Sequence, residues 1–158
     1  MTDGRAAIAA ALLGGRGETV AVAESLTGGL LSAALVAVPG VSAVFRGGVV
    51  VYATDLKASL AGVPAPLLAE RGPVDPDVAL ALARGVRARC AADWGVATTG
   101  VAGPRPQGDA PVGLVYVAVA GPRGAVVRER HLDGGRAEIR SSAVEAALAL
   151  LIDAARAA

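Results

Sequence analysis

Thr19-Val20-Ala21-Val22-Ala23-Glu24-Ser25-Leu26-Thr27-Gly28-Gly29-Leu30-Leu31 decides the fold. Its first five residues read as a small buried strand, which breaks off at the polar and glycine-rich run Glu24 to Gly29. Leu30, Leu31, Ala34, Leu35 and Val38 then recur at helical spacing until Pro39-Gly40 stops them. A strand that turns directly into a helix is the building unit of an α/β protein, and the same unit recurs along the chain. Upstream, residues 2–14 form a short helix closed by Gly14-Gly15. Downstream, Val49-Val50-Val51-Tyr52 is a strand entered through Gly47-Gly48, and a short helix holding Lys57 follows it. Asp75-Pro76 sets an N-cap beside a proline at the first helical position, and Val78, Leu82, Val86 and Cys90 carry that helix to about Asp93. Residues 95–99 are a further strand, opening into the loop Gly100 to Pro111. Strands at 112–120 and 125–132 are joined as a hairpin by Gly121-Pro122-Arg123-Gly124. A last helix, about 136–155, lines up Val144, Leu148, Leu151, Ile152 and Ala155 on one stripe. Helices alternating with strands, followed by a late hairpin, predict a three-layer α/β/α sandwich with a mixed β-sheet.

The 158 residues suit one domain, 1–158, with a single core. Thirty-seven are alanine and four are aromatic, so the core is expected to be aliphatic and closely spaced. Fifteen Lys plus Arg against fourteen Asp plus Glu leave a net charge of +1 with no basic run, which argues against a nucleic-acid partner. No apolar stretch approaches the roughly 18 residues of a membrane span, and the N-terminus lacks the regions of a signal peptide. A cytoplasmic protein with no membrane partner is expected. Cys90 is the lone cysteine and His131 the lone histidine, so neither a disulfide within the chain nor a His/Cys metal centre is expected. Small alanine-rich helices leave apolar surface that a homo-oligomer would cover.

Lys57 stands out because the other fourteen of the fifteen cationic side chains are arginine. A bias toward arginine replaces lysine wherever only positive charge is wanted, whereas proton transfer requires an amine that can lose its proton. Lys57 is therefore a candidate base, the alternative being an ordinary surface lysine. Ser25 lies where a strand turns into a helix, before glycines that allow close backbone approach to a ligand. It is a candidate nucleophile, although Ser25 or Thr27 could equally be the helix N-cap. Glu24 ends a buried strand, where a carboxylate needs donors, and holding the turn is its preferred role over touching a ligand. Tyr52, five residues before Lys57, is placed to share one mouth of the sheet with it, or to leave its hydroxyl in water. The Gly100–Pro111 loop suits a fixed backbone wrapped around a small polar ligand. Arg136 and Arg140 open or precede the last helix, and either suits a phosphate or carboxylate. His131, Trp94 and Cys90 read as structural.

Four stretches carry a resemblance: Ala23 to Gly29, Gly48 to Lys57, Thr99-Gly100-Val101-Ala102-Gly103-Pro104, and Pro111-Val112-Gly113-Leu114-Val115-Tyr116. Together they resemble the CinA C-terminal domain family, the nicotinamide-nucleotide amidohydrolases, in its stand-alone form, over about residues 8–151. The resemblance implies hydrolysis of the carboxamide of nicotinamide mononucleotide, without metal or cofactor. It makes Ser25 the nucleophile and Tyr52 and Lys57 the groups that activate it and shuttle its proton. The Thr27-Gly28-Gly29 turn would supply N–H donors to the oxyanion, beside Glu24. Thr99, Gly100, Ala102 and Gly103 would line the substrate, with Arg136 and Arg140 beyond them. Some positions depart from the family pattern. Arg105-Pro106 replaces threonine or glycines, Ala110 a lysine, Gly135 an aspartate, and Asp75 a serine. Two other readings accompany this one: a nucleotide-binding module of the same fold without turnover, and a serine amidase for another small amide.

Overall fold

The computed structural model describes residues 2–158 and contains a five-stranded sheet between two layers of helix. The strands are β1 (Val20–Glu24), β2 (Phe45–Val50), β3 (Trp94–Gly100), β4 (Leu114–Gly121) and β5 (Gly124–His131), in the order β2-β1-β3-β4-β5. β2, β1 and β3 run parallel, whereas β4 and β5 are antiparallel additions. Helices α1 (Thr2–Gly14), α2 (Leu30–Val36) and α6 (Arg136–Ala157) cover one face. Helices α3 (Thr54–Ser59), α4 (Ala65–Arg71) and α5 (Pro76–Arg89) cover the other. The expected three-layer α/β/α arrangement with a mixed sheet is the one observed.

The two faces differ in side-chain size, which explains the alanine content. Val20, Val22, Val96, Val115, Val117 and Val119 face α1, α2 and α6. Ala21, Ala23, Ala97, Ala118 and Ala120 alternate with them and face α5. Over that alanine floor α5 lies very close: a Cβ on Gly95 would stand 2.0 Å from the Ala83 carbonyl oxygen. The α5 cap is the expected one, with the Asp75 carboxylate accepting from the N–H groups of Asp77 and Val78.

Several boundaries differ from the sequence reading. The second strand is Phe45–Val50, so Gly47 and Gly48 lie inside it and Val51 and Tyr52 beyond it. Gly48 belongs there because a Cβ would lie 2.7 Å from the Val22 carbonyl oxygen on the neighbouring strand. Helix α5 stops at Arg89 instead of Asp93, and the chain reverses through Ala91 at φ 50°. A short helix, α4, and a 3-10 turn at Val41–Ala43 were not expected. No described helix is long and apolar enough to cross a membrane.

Candidate active site

The C-terminal ends of the parallel strands β1 and β3 open into a cavity of about 270 Å³. Ser25, the first residue past β1, lies in its wall, and its N–H is fixed by the Thr98 carbonyl at 3.0 Å. Lys57, the buried residue of the short helix α3, reaches the same point. It is 1% exposed, and its Nζ lies 3.0 Å from Ser25 Oγ, 2.8 Å from the Val51 carbonyl and 3.5 Å from the Tyr52 carbonyl. Lys57 has no ion-pair partner among the described residues. Burial disfavours its charged form and lowers its pKa from 10.5 to about 8. As a neutral amine, Lys57 can give its two N–H groups to the carbonyls and turn its lone pair to the serine hydroxyl. The surface-lysine alternative is thereby removed, and the Ser25–Lys57 pair has the form of an activated nucleophile.

Glu24 points to the opposite face of the sheet. It is fully buried, and its oxygens accept from Leu31 N at 2.8 Å, Ser32 N at 3.0 Å and Ser32 Oγ at 2.7 Å. It caps α2 from the strand before it, a structural role as preferred from the sequence. Ser25 and Thr27 are not the N-cap of α2, which is Gly29 at φ 107°. The Thr27 hydroxyl is buried against that of Thr98 at 2.8 Å.

The cavity lining revises the expected anion donors, since it does not include Thr27, Gly28 or Gly29. Gly28 N–H is held by the Ser25 carbonyl at 3.1 Å, and the first free amides of α2 are held by Glu24. Gly28 and Gly29 supply left-handed backbone at φ 56° and 107°. The amide after Ser25, that of Leu26, has no acceptor among the described residues, and Leu26 lines the cavity. Across from it, Ala102 and Gly103 also line the cavity with unpaired amides among the described residues. Thr99 lines it too, but gives its hydroxyl to the Pro73 carbonyl at 2.6 Å. Gly100 allows β4 to pass, since a Cβ there would meet the Leu114 carbonyl at 2.7 Å.

The remaining candidates separate. Tyr52 is 60% exposed, and its hydroxyl accepts from Arg136 Nη2 at 3.2 Å. Its ring therefore stands at the mouth, and its backbone carbonyl, not its phenol, meets the buried Lys57. Arg136 also donates to the Gly103 carbonyl at 2.6 Å and lines the cavity. Arg140, one turn further along α6, lies outside the lining and holds the carbonyls of Leu26 at 2.8 Å and Thr27 at 3.2 Å. It braces the turn after Ser25. The sequence reading missed Arg105 and Gln107, which also line the cavity. Among the described residues no cluster of His, Cys, Asp and Glu could hold a metal ion.

The model of the CinA C-terminal domain matches residues 3–155. The chain belongs to that family. Among relatives of this CinA domain, the CinA-like protein of Frankia casuarinae is 55% identical over 140 residues, 89% of this chain and 32% of that protein. The CinA-like protein of an Anaeromyxobacter species is 51% identical over 146 residues, 92% of this chain and 36% of that one. The chain thus spans about a third of the length of the curated relatives it matches. Solved CinA structures are alike throughout. The competence/damage inducible protein CihA from Agrobacterium tumefaciens aligns with a TM-score of 0.92 at 37% identity, covering 96% of this chain and 94% of that one. A CinA superfamily protein from Klebsiella pneumoniae aligns with a TM-score of 0.96 at 28% identity, covering 100% and 99%.

Proposed function

We propose that this CinA domain hydrolyses the carboxamide of nicotinamide mononucleotide, giving nicotinate mononucleotide and ammonia, with Ser25 as nucleophile and Lys57 as its base. The observation that carries the reading is the 3.0 Å bond between Lys57 Nζ and Ser25 Oγ, made by a buried lysine without a carboxylate partner among the described residues. Neutral Lys57 takes the serine proton as Oγ bonds to the carboxamide carbon. The oxyanion that forms lies against the Leu26 amide, immediately after the nucleophile. Protonated Lys57 then gives its proton to the nitrogen, the C–N bond breaks, and ammonia leaves an acyl-serine. Water attacks that ester while Lys57 again accepts the proton, and collapse returns it to Ser25 and frees the carboxylate product. The direct Lys57–Ser25 contact removes the need for a relay through Tyr52, which instead steadies Arg136 at the mouth.

Ammonia release from nicotinamide mononucleotide by the purified chain, without added metal, tests the reading. Turnover that Ser25→Ala and Lys57→Arg both abolish supports it. Tight binding of the nucleotide without ammonia release would replace it with a binding module, and release from other amides alone would assign another substrate.

A further inference from the structure

The two edges of the sheet are finished differently. β5, at one edge, ends in Arg128-Glu129-Arg130-His131, and Arg128 is tied to Asp153 of α6 at 3.0 Å. Charges of both signs on an outer strand discourage another strand from adding to it. β2, at the other edge, reads Phe45-Arg46-Gly47-Gly48-Val49-Val50, with no proline, lysine or acid. Its one charge is turned away, since Arg46 Nε donates to the Cys90 carbonyl at the end of α5, at 2.5 Å. Among the described residues no strand pairs with the outer side of β2, which leaves a row of backbone donors and acceptors for an added strand.

The surface beside that edge is apolar as well. Residues 25–54 hold a single charged side chain, Arg46, although 18% of the whole chain is charged. Helix α2 comes from this stretch and shows Leu30, Ala33 and Val36 to solvent, with Val36 61% exposed. Val50 is exposed at the end of β2. It pairs with Glu24, whose carboxylate reaches Leu31 and Ser32, so Val50 lies on the α2 side of the sheet. A Cβ on Gly48 would stand 3.4 Å from Ser32 Oγ, which makes the helix and the strand edge one continuous surface. Apolar side chains grouped around an open strand edge mark a protein contact.

We propose that this face binds a second copy of the chain, with β2 running antiparallel to its own copy so that the two five-stranded sheets become continuous and the two α2 helices lie on the same side of it. A two-fold contact brings each residue against residues of the same face, so a charge there meets its like. A face whose one charge is already turned toward α5 fits its own copy without repulsion. Strand pairing sets direction and register, while Leu30, Val36 and Val50 supply area removed from water. The contact is independent of the hydrolase reading, since none of these three side chains lines the cavity.

Sedimentation equilibrium of the parent chain, Val36→Glu, Val50→Arg and Val126→Arg tests it. Val126, exposed on β5, is the control for the guarded edge. The parent is expected to be dimeric at about 10 μM, and Val36→Glu and Val50→Arg to weaken the dimer about a hundredfold or more, because each new charge enters a two-fold contact twice. Val126→Arg should leave the dimer unchanged. All three side chains are exposed, so the variants should keep the parent's circular dichroism. Backbone amides 45–50 should exchange more slowly in the parent dimer than in Val36→Glu, which reports the strand pairing itself. A parent that stays monomeric overturns the proposal and leaves the face to another protein. A dimer dissolved by Val126→Arg but not by the other two variants overturns it too, as does equal exchange at 45–50 in parent and Val36→Glu.

Discussion

Lys57 Nζ sits 3.0 Å from Ser25 Oγ, and burial rather than a neighbouring charge holds its pKa near 8. Base catalysis by such a group requires the neutral amine. Ammonia release should therefore rise with pH and reach half its plateau near pH 8. Initial rates from pH 6 to 10 read this directly, and a profile flat through pH 8 would separate Lys57 from the proton transfer.

The same shift bears on stability. The unfolded chain holds the lysine proton up to about pH 10.5, whereas the folded chain loses it near 8. Between those values the unfolded state binds more protons, so folding stability rises with pH, by about 3 kcal/mol in all. Below pH 8 both states are protonated and the penalty is fully present. Urea unfolding of the parent and Lys57→Met at pH 7.5, 9 and 10 should show this rise in the parent and its loss in the variant.

Arginine cannot replace the lysine, because it retains its proton. Lys57→Arg should lower ammonia release about a hundredfold or more while leaving far-UV circular dichroism unchanged. An active Lys57→Arg protein would show that position 57 supplies charge alone.

Glu24 holds α2 through two amides and a hydroxyl without touching the cavity. Glu24→Ala leaves these donors buried and unpaired, and should reduce stability by about 3 kcal/mol by chemical denaturation. Glu24→Gln keeps one acceptor and should lose less.

Close packing over the alanine floor makes Gly95 and Gly4 opposites. Gly95→Ala drives a methyl into the Ala83 carbonyl and should lower stability by about 2 kcal/mol. Gly4 lies in α1 with nothing within 4 Å of a Cβ, so Gly4→Ala should raise stability by up to about 1 kcal/mol. Paired thermal melts compare them.

The strand-turn-helix at Ser25, the capped helix at Asp75 and the isolation of Lys57 were all legible, because each depends on local composition or spacing. Contacts between distant residues were not. Nothing in the letters joins Glu24 to Leu31 and Ser32 rather than to a ligand, and only the folded backbone shows that those bonds occupy two amides at the start of α2. Gly47-Gly48 read as a strand entrance because glycine disfavours strands in general, whereas here the Val22 carbonyl on the adjacent strand demands glycine at 48. That misplacement put Tyr52 at a strand end, and its phenol turned instead to Arg136, 84 residues later. Arg105 registered in the sequence only as a departure from the family pattern, since an exposed arginine in a loop otherwise looks like any other.

The tip of the Gly100–Pro111 loop is closed on itself by paired bonds between Gln107 and Ala110, at 3.0 and 2.9 Å. Residues 104–109 hang outside the core, while Ser25 and Lys57 both come from the first 60 residues of the chain. On the proposed reading, reaction and recognition are thus separable parts. Lengthening or exchanging the tip would leave the serine and lysine in their places, so one frame would accept interchangeable entrances.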